Sequence, residues 1–112
     1  MTTRKLSKSE WQAYCDRVSK GLETEQAQID VMGLGIGDQK LVGQWVSLLG
    51  IVYDPKSDLV EIALEGLDHM IARPEAISVV EGVDGLESIE IVGADQLRQI
   101  VKLKRPARLP AH

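Results

Sequence analysis

After Leu22 the apolar residues of this chain stop recurring every three or four positions and begin to recur every second one. That change of period divides the sequence into one helix followed by strands, because a helix presents a face every 3.6 residues and a strand every two. Before the change, Trp11, Tyr14, Cys15, Val18 and Leu22 stand at spacings of 3, 4, 7 and 11 from Trp11, which is one helical face. Ser7 and Glu10 have the spacing of a capping box, so the helix is expected to start there. Gly21 is expected to supply a left-handed stop. Gln12, Asp16, Arg17 and Lys20 form the opposite, polar face.

After the change, Ala27, Ile29 and Val31 alternate with Gln28 and Asp30, the pattern of a half-buried strand. The glycines Gly33, Gly35 and Gly37 predict a loop or a bulged strand end. Leu41, Trp45, Leu48 and Leu49 would also suit a short helix, but Gly43 and Gly50 weigh against it, and a strand is expected over Trp45 to Tyr53. Asp54 and Pro55 mark a turn. Leu49, Ile51 and Tyr53 enter it and Val60, Ile62 and Leu64 leave it, with Glu61 and Glu65 on the other face. Leu67 to Arg73 is expected as a third strand, ended or bent at Pro74 and suited to a sheet edge. Further strands are expected around Ile77 and Val79, around Ile89 and Ile91, and from Leu97 to Leu103. The fold class is α+β: an N-terminal amphipathic helix on a mostly antiparallel, strongly twisted or barrel-like sheet of about five to seven strands.

Composition narrows the function classes. A length of 112 residues suits one domain, with 1–6 and 106–112 expected as flexible tails. A hydrophobic fraction of 44% without any Phe calls for a core of Ile, Val and Leu. Thirteen basic against seventeen acidic residues give a net charge of −4, which disfavours a nucleic-acid partner. With one cysteine and two histidines, Cys/His zinc sites and an internal disulfide are excluded, and neither metal nor cofactor is expected. The N-terminus has no apolar leader and no run reaches membrane-spanning length, so the chain reads as complete, cytoplasmic and without a membrane partner.

Four segments taken in order carry a resemblance: EWQAYCDRVS, GIVYDPKSDLVEIAL, LDHMIARPEAISV and GLESIEIVGADQLRQIVKLKRP. Together they resemble the bacterial proteins grouped as domain of unknown function 5335, over nearly the whole chain. The resemblance implies no activity, cofactor or catalytic residue. One departure stands in the last turn, where Gly93-Ala94-Asp95-Gln96 replaces an expected Asp-Gly tip and puts the turn type in question.

Four places could carry chemistry. Gly33, Gly35 and Gly37 have neither the GxGxxG nor the GxxxxGK[ST] spacing of a phosphate loop, and a connection needing positive φ is the better account. Cys15 lies on the apolar helix stripe and reads as a buried small hydrophobe. Lys102, Lys104, Arg105 and Arg108 could touch phosphates in an Sm-like or barrel-like RNA-binding fold, but no aromatic residue among them offers base stacking, and lysines commonly blunt sheet edges. His69 and Arg73 are the candidate binding residues. They share a strand face with Leu67 and Ile71, whereas Asp68 points away with Met70 and Ala72, so a carboxylate for His69 would have to come from Glu61 or Asp54. No catalytic residue is assigned. The expectation is a non-enzymatic binding module, as a homo-oligomer or with a protein partner. The alternatives are the RNA binder and an enzyme using His69 with Arg73 as an anion anchor.

Overall fold

In the computed structural model, which describes residues 2–33 and 37–110, the helix opens where Ser7 and Glu10 predict. The Ser7 amide and the Ser7 hydroxyl both donate to Glu10 Oε1, at 3.0 and 2.9 Å. A single 3-10 turn, Lys8–Glu10, leads into α1, Trp11–Gly21, which buries Trp11, Tyr14, Cys15 and Val18. The end of α1 departs from expectation. Among the described glycines positive φ occurs at Gly66 and Gly85, not at Gly21, and the helix stops because Leu22 turns extended. Gly21 is needed for space instead: a Cβ there would lie 2.1 Å from the Arg108 carbonyl oxygen.

The described residues form eight strands: β1 (Thr2–Lys5), β2 (Gln26–Gly33), β3 (Gly37–Asp54), β4 (Leu59–Leu64), β5 (Leu67–Ala72), β6 (Ala76–Gly82), β7 (Gly85–Val92) and β8 (Arg98–Ala107). They form one sheet in the order β1-β6-β7-β8-β2-β3-β4-β5, and every neighbouring pair is antiparallel. The α+β class holds, with two corrections. Among the described residues there are eight strands rather than about five to seven, and the sheet is open, with edges at β1 and β5 rather than closed into a barrel. The extra strand is β1, in residues expected to be a flexible tail. MTTRK has no apolar alternation, and what holds it is the ladder to β6, with Leu6 buried beside it. The described part of the other expected tail, 106–110, is docked as well. Ala107 is buried, Leu109 packs on the core, and Arg17 Nε donates to the Pro110 carbonyl at 3.2 Å.

The long β3 makes the sheet bend. Its first half pairs with β2 and its second half with β4, and it carries extra residues in both ladders: between Val42 and Val46, between Lys40 and Val42, and between Leu48 and Gly50. A large exposed apolar residue falls in each interruption, Trp45, Leu41 and Leu49. Bulges of this kind bend a strand and raise its twist, which lets one strand serve both wings of the sheet. Leu49, expected to face inward with Ile51 and Tyr53, is turned out by the last bulge and Leu48 takes the core position.

The two wings and α1 enclose one core, in which the Trp11 and Tyr53 rings meet edge to face with centroids 5.2 Å apart. Beyond Ser47, where the β2 ladder ends, no strand among the described residues pairs with β3 on that side. There α1 supplies the partner. Ser19 Oγ donates to the Ile51 carbonyl at 2.7 Å and accepts from the Ile51 amide at 2.9 Å, satisfying both backbone groups of a fully buried residue.

Candidate functional site

The expected division of EGLDHMIARP between two faces is observed from Asp68 to Ala72, and Arg73, past the strand end, departs from it. In the β4–β5 ladder Ile62 stands opposite His69 and Val60 opposite Ile71, so His69 and Ile71 look inward. Ile71 is buried and His69 half-buried, while Asp68, Met70, Ala72 and Arg73 are exposed. His69 Nε2 hydrogen-bonds the side-chain oxygen of Gln99 on β8, which is only 7% exposed. The contact ties the edge strand of one wing to the middle of the other, and Ile71 beside Gly93 adds a second touch between them.

In a triad-type site a carboxylate orients the histidine ring and stabilises the imidazolium. Glu61 stands between Val52 and Met70 across the three strands, on the outward face away from His69. Asp54 is occupied in its own turn, accepting from the Lys56 amide and the Ser57 hydroxyl, each at 2.9 Å. The partner of His69 is therefore an amide. Arg73 is not brought to His69. It sits one residue past the strand at φ 48°, with its amide donating to the Asp58 carbonyl at 2.7 Å. Gln99 was not among the candidate residues, although it shares parity with Val101 and Leu103. A polar residue on an apolar parity is the signal that could have found it.

The remaining candidates resolve as follows. Cys15 is buried, and burial, with a smaller contribution from Asp16, pushes its thiol up to about 12. Gly33 and Gly37 close the β2–β3 ladder opposite one another, and Gly35 lies outside the described residues. Of the basic cluster, Lys102 is engaged: its Nζ is 2.5 Å from Asp30 Oδ2, and Lys40 Nζ is 3.5 Å from Oδ1. Asp30 is 4% exposed. Burial alone would raise its pKa, but Lys102 and Lys40 outweigh that and hold the carboxyl below its ordinary value. Near the other edge, Arg4 pairs with Glu10 at 3.1 Å and Glu81 at 3.7 Å, and the Tyr14 hydroxyl donates to Glu81 at 2.9 Å. Burial first and Glu81 second push the Tyr14 phenol up. Among the described residues no three His, Cys, Asp or Glu gather as a metal site, and no helix is long and apolar enough to cross a membrane.

Comparison with known proteins agrees with the motifs. The chain is 38% identical over 111 residues to an uncharacterized protein of Aquifex aeolicus (strain VF5), an alignment that covers 98% of this chain and 99% of that relative. No solved structure matches it. The family of unknown function DUF5335 matches residues 2–112, and the capped helix, the Asp54 turn and the β4–β5 hairpin all lie within that match, so the chain belongs to this family.

Proposed function

We propose that the protein is a non-enzymatic interaction module that self-associates through the wing made by β3, β4 and β5. The observation that supports this is β5 itself. It ends the sheet with a strand on one side only and exposes Leu67 at 45% and Met70 at 54%. Unpaired edges template pairing with another chain, and proteins usually blunt them with lysine, proline or a cover. The opposite edge, β1, carries Arg4 and Lys5, whereas LDHMIA carries neither lysine nor proline. Val52 lies in the same outward row as Met70 and is 44% exposed. On this reading His69 acts by holding β5 in place through Gln99, and Arg73 lies at the contact itself. Size-exclusion chromatography with light scattering on the full chain tests it. A mass of two protomers or a multiple of two is expected at tens of micromolar, and a strict monomer at millimolar concentration would overturn the proposal.

A further inference from the structure

We infer that two copies join by antiparallel pairing of β5 with β5 across a two-fold axis at Met70, so that Asp68 of each copy lies beside Arg73 of the other. The inference rests on the self-association proposed above and adds which groups meet.

The backbone sets the register. Leu64 and Leu67 flank the two-residue turn Glu65-Gly66, so Leu67, His69 and Ile71 direct their amides and carbonyls toward β4. The Arg73 amide follows the same parity in reaching Asp58. Asp68, Met70 and Ala72 therefore direct theirs outward, away from the sheet. In a sheet continued by a second copy the inner faces must match, so odd positions meet odd ones and even positions even ones. Only one such register uses all three outward residues within the strand: Met70 opposite Met70, and Asp68 opposite Ala72. Moving the two-fold axis two residues toward the turn, a relative slide of four, would set Asp68 opposite Asp68, and like charges directly opposed destabilise a pair.

Charge favours the same arrangement. Among the described residues, neither Asp68 nor Arg73 makes an ion pair or a side-chain hydrogen bond within its own chain. The acid stands near the start of β5 and the base just past its end. Two-fold antiparallel pairing therefore brings opposite charges together twice. Stacking the wings face to face would instead bury Glu61, in the middle of the outward row, near its own copy without a counter-charge. Edge pairing leaves Glu61 in water, one strand from the axis.

Single cysteines read the register directly. Directly opposite, hydrogen-bonded residues of an antiparallel pair have Cα atoms about 5.5 Å apart, within disulfide range. Mild oxidation of Met70→Cys is expected to give a covalent dimer. Asp68→Cys and Ala72→Cys are each expected to cross-link poorly alone and efficiently when mixed. The native Cys15 is buried and stays silent. In parallel, Asp68→Arg and Arg73→Asp should each weaken the dimer about tenfold, as expected for two rim ion pairs lost by symmetry, and the double exchange should restore it. A chain that remains dimeric by light scattering, yet shows neither the Met70→Cys nor the mixed cross-link, overturns the β5 register while leaving self-association standing. A monomer in every variant and in the wild type overturns self-association itself.

Discussion

Gln96 holds a backbone conformation that residues with a Cβ avoid, φ 67°, in the turn where the sequence departs from an Asp-Gly tip. The turn closes with the Gln96 amide on the Gly93 carbonyl at 3.0 Å, and the Leu97 amide donates to Asp95 Oδ1 at 3.0 Å. Left-handed geometry costs a non-glycine residue about 1–2 kcal/mol. Gln96→Gly should therefore stabilise the protein by about 0.5–1 kcal/mol, after loss of the exposed Gln96 bond to Glu75, measured as a shift in denaturant midpoint at constant slope. Ser19 shows the opposite case, a polar residue whose role is hidden in a sequence that is otherwise easy to read. It lies on the apolar stripe of α1, four residues after Cys15, and the stripe says that it faces inward but not that the backbone of Ile51 awaits it.

At the scale of elements, what the sequence made legible was whatever period and turn chemistry encode locally. The capped helix, the Asp54 turn with its β3–β4 hairpin, the strand after Leu67 and the facing of His69 all follow from spacing. β1 was not legible, because an edge strand held by a ladder and one buried neighbour needs no alternation of its own. The bulges of β3 were not legible either, since an extra residue changes which side chain points inward without changing composition, as the exchange of Leu48 for Leu49 shows. The link between the wings depends on two strands far apart in sequence, and only the fold brings His69 to Gln99. Its energetics give a test of a bracing role. His69→Leu or Gln99→Leu alone leaves the other polar group short of a partner and should cost about 1–3 kcal/mol, whereas the double replacement should come closer to neutral. A double-mutant cycle by urea denaturation measures the coupling. Additive losses would mean that the two side chains do not brace one another.

For the molecule as a whole, the Asp30 cluster sets an expectation in acid. Asp30 lies between β3 and β8 with Lys40 and Lys102 over it, and its folded pKa is lower than that of the unfolded chain, near 3.8. The stabilisation it gives is thus fully present above the unfolded value and is lost as pH falls through the folded one. Lys102→Met should move the acid-unfolding transition to higher pH, followed by circular dichroism, because the carboxyl then loses its 2.5 Å partner. The order of the strands has a further consequence, for how the chain comes to be folded. β2 lies between β3 and β8, so a strand made early must wait for the last one. While the chain is being synthesised, β2 to β5 can assemble as a meander, but the far side of β2 stays open until Arg98–Ala107 has emerged. Closing so long a loop is the slow kind of contact. The half-made protein therefore carries a temporary free edge in its middle, and the same pairing chemistry that suits β5 to a second copy makes nascent chains prone to pair with each other there until β8 arrives.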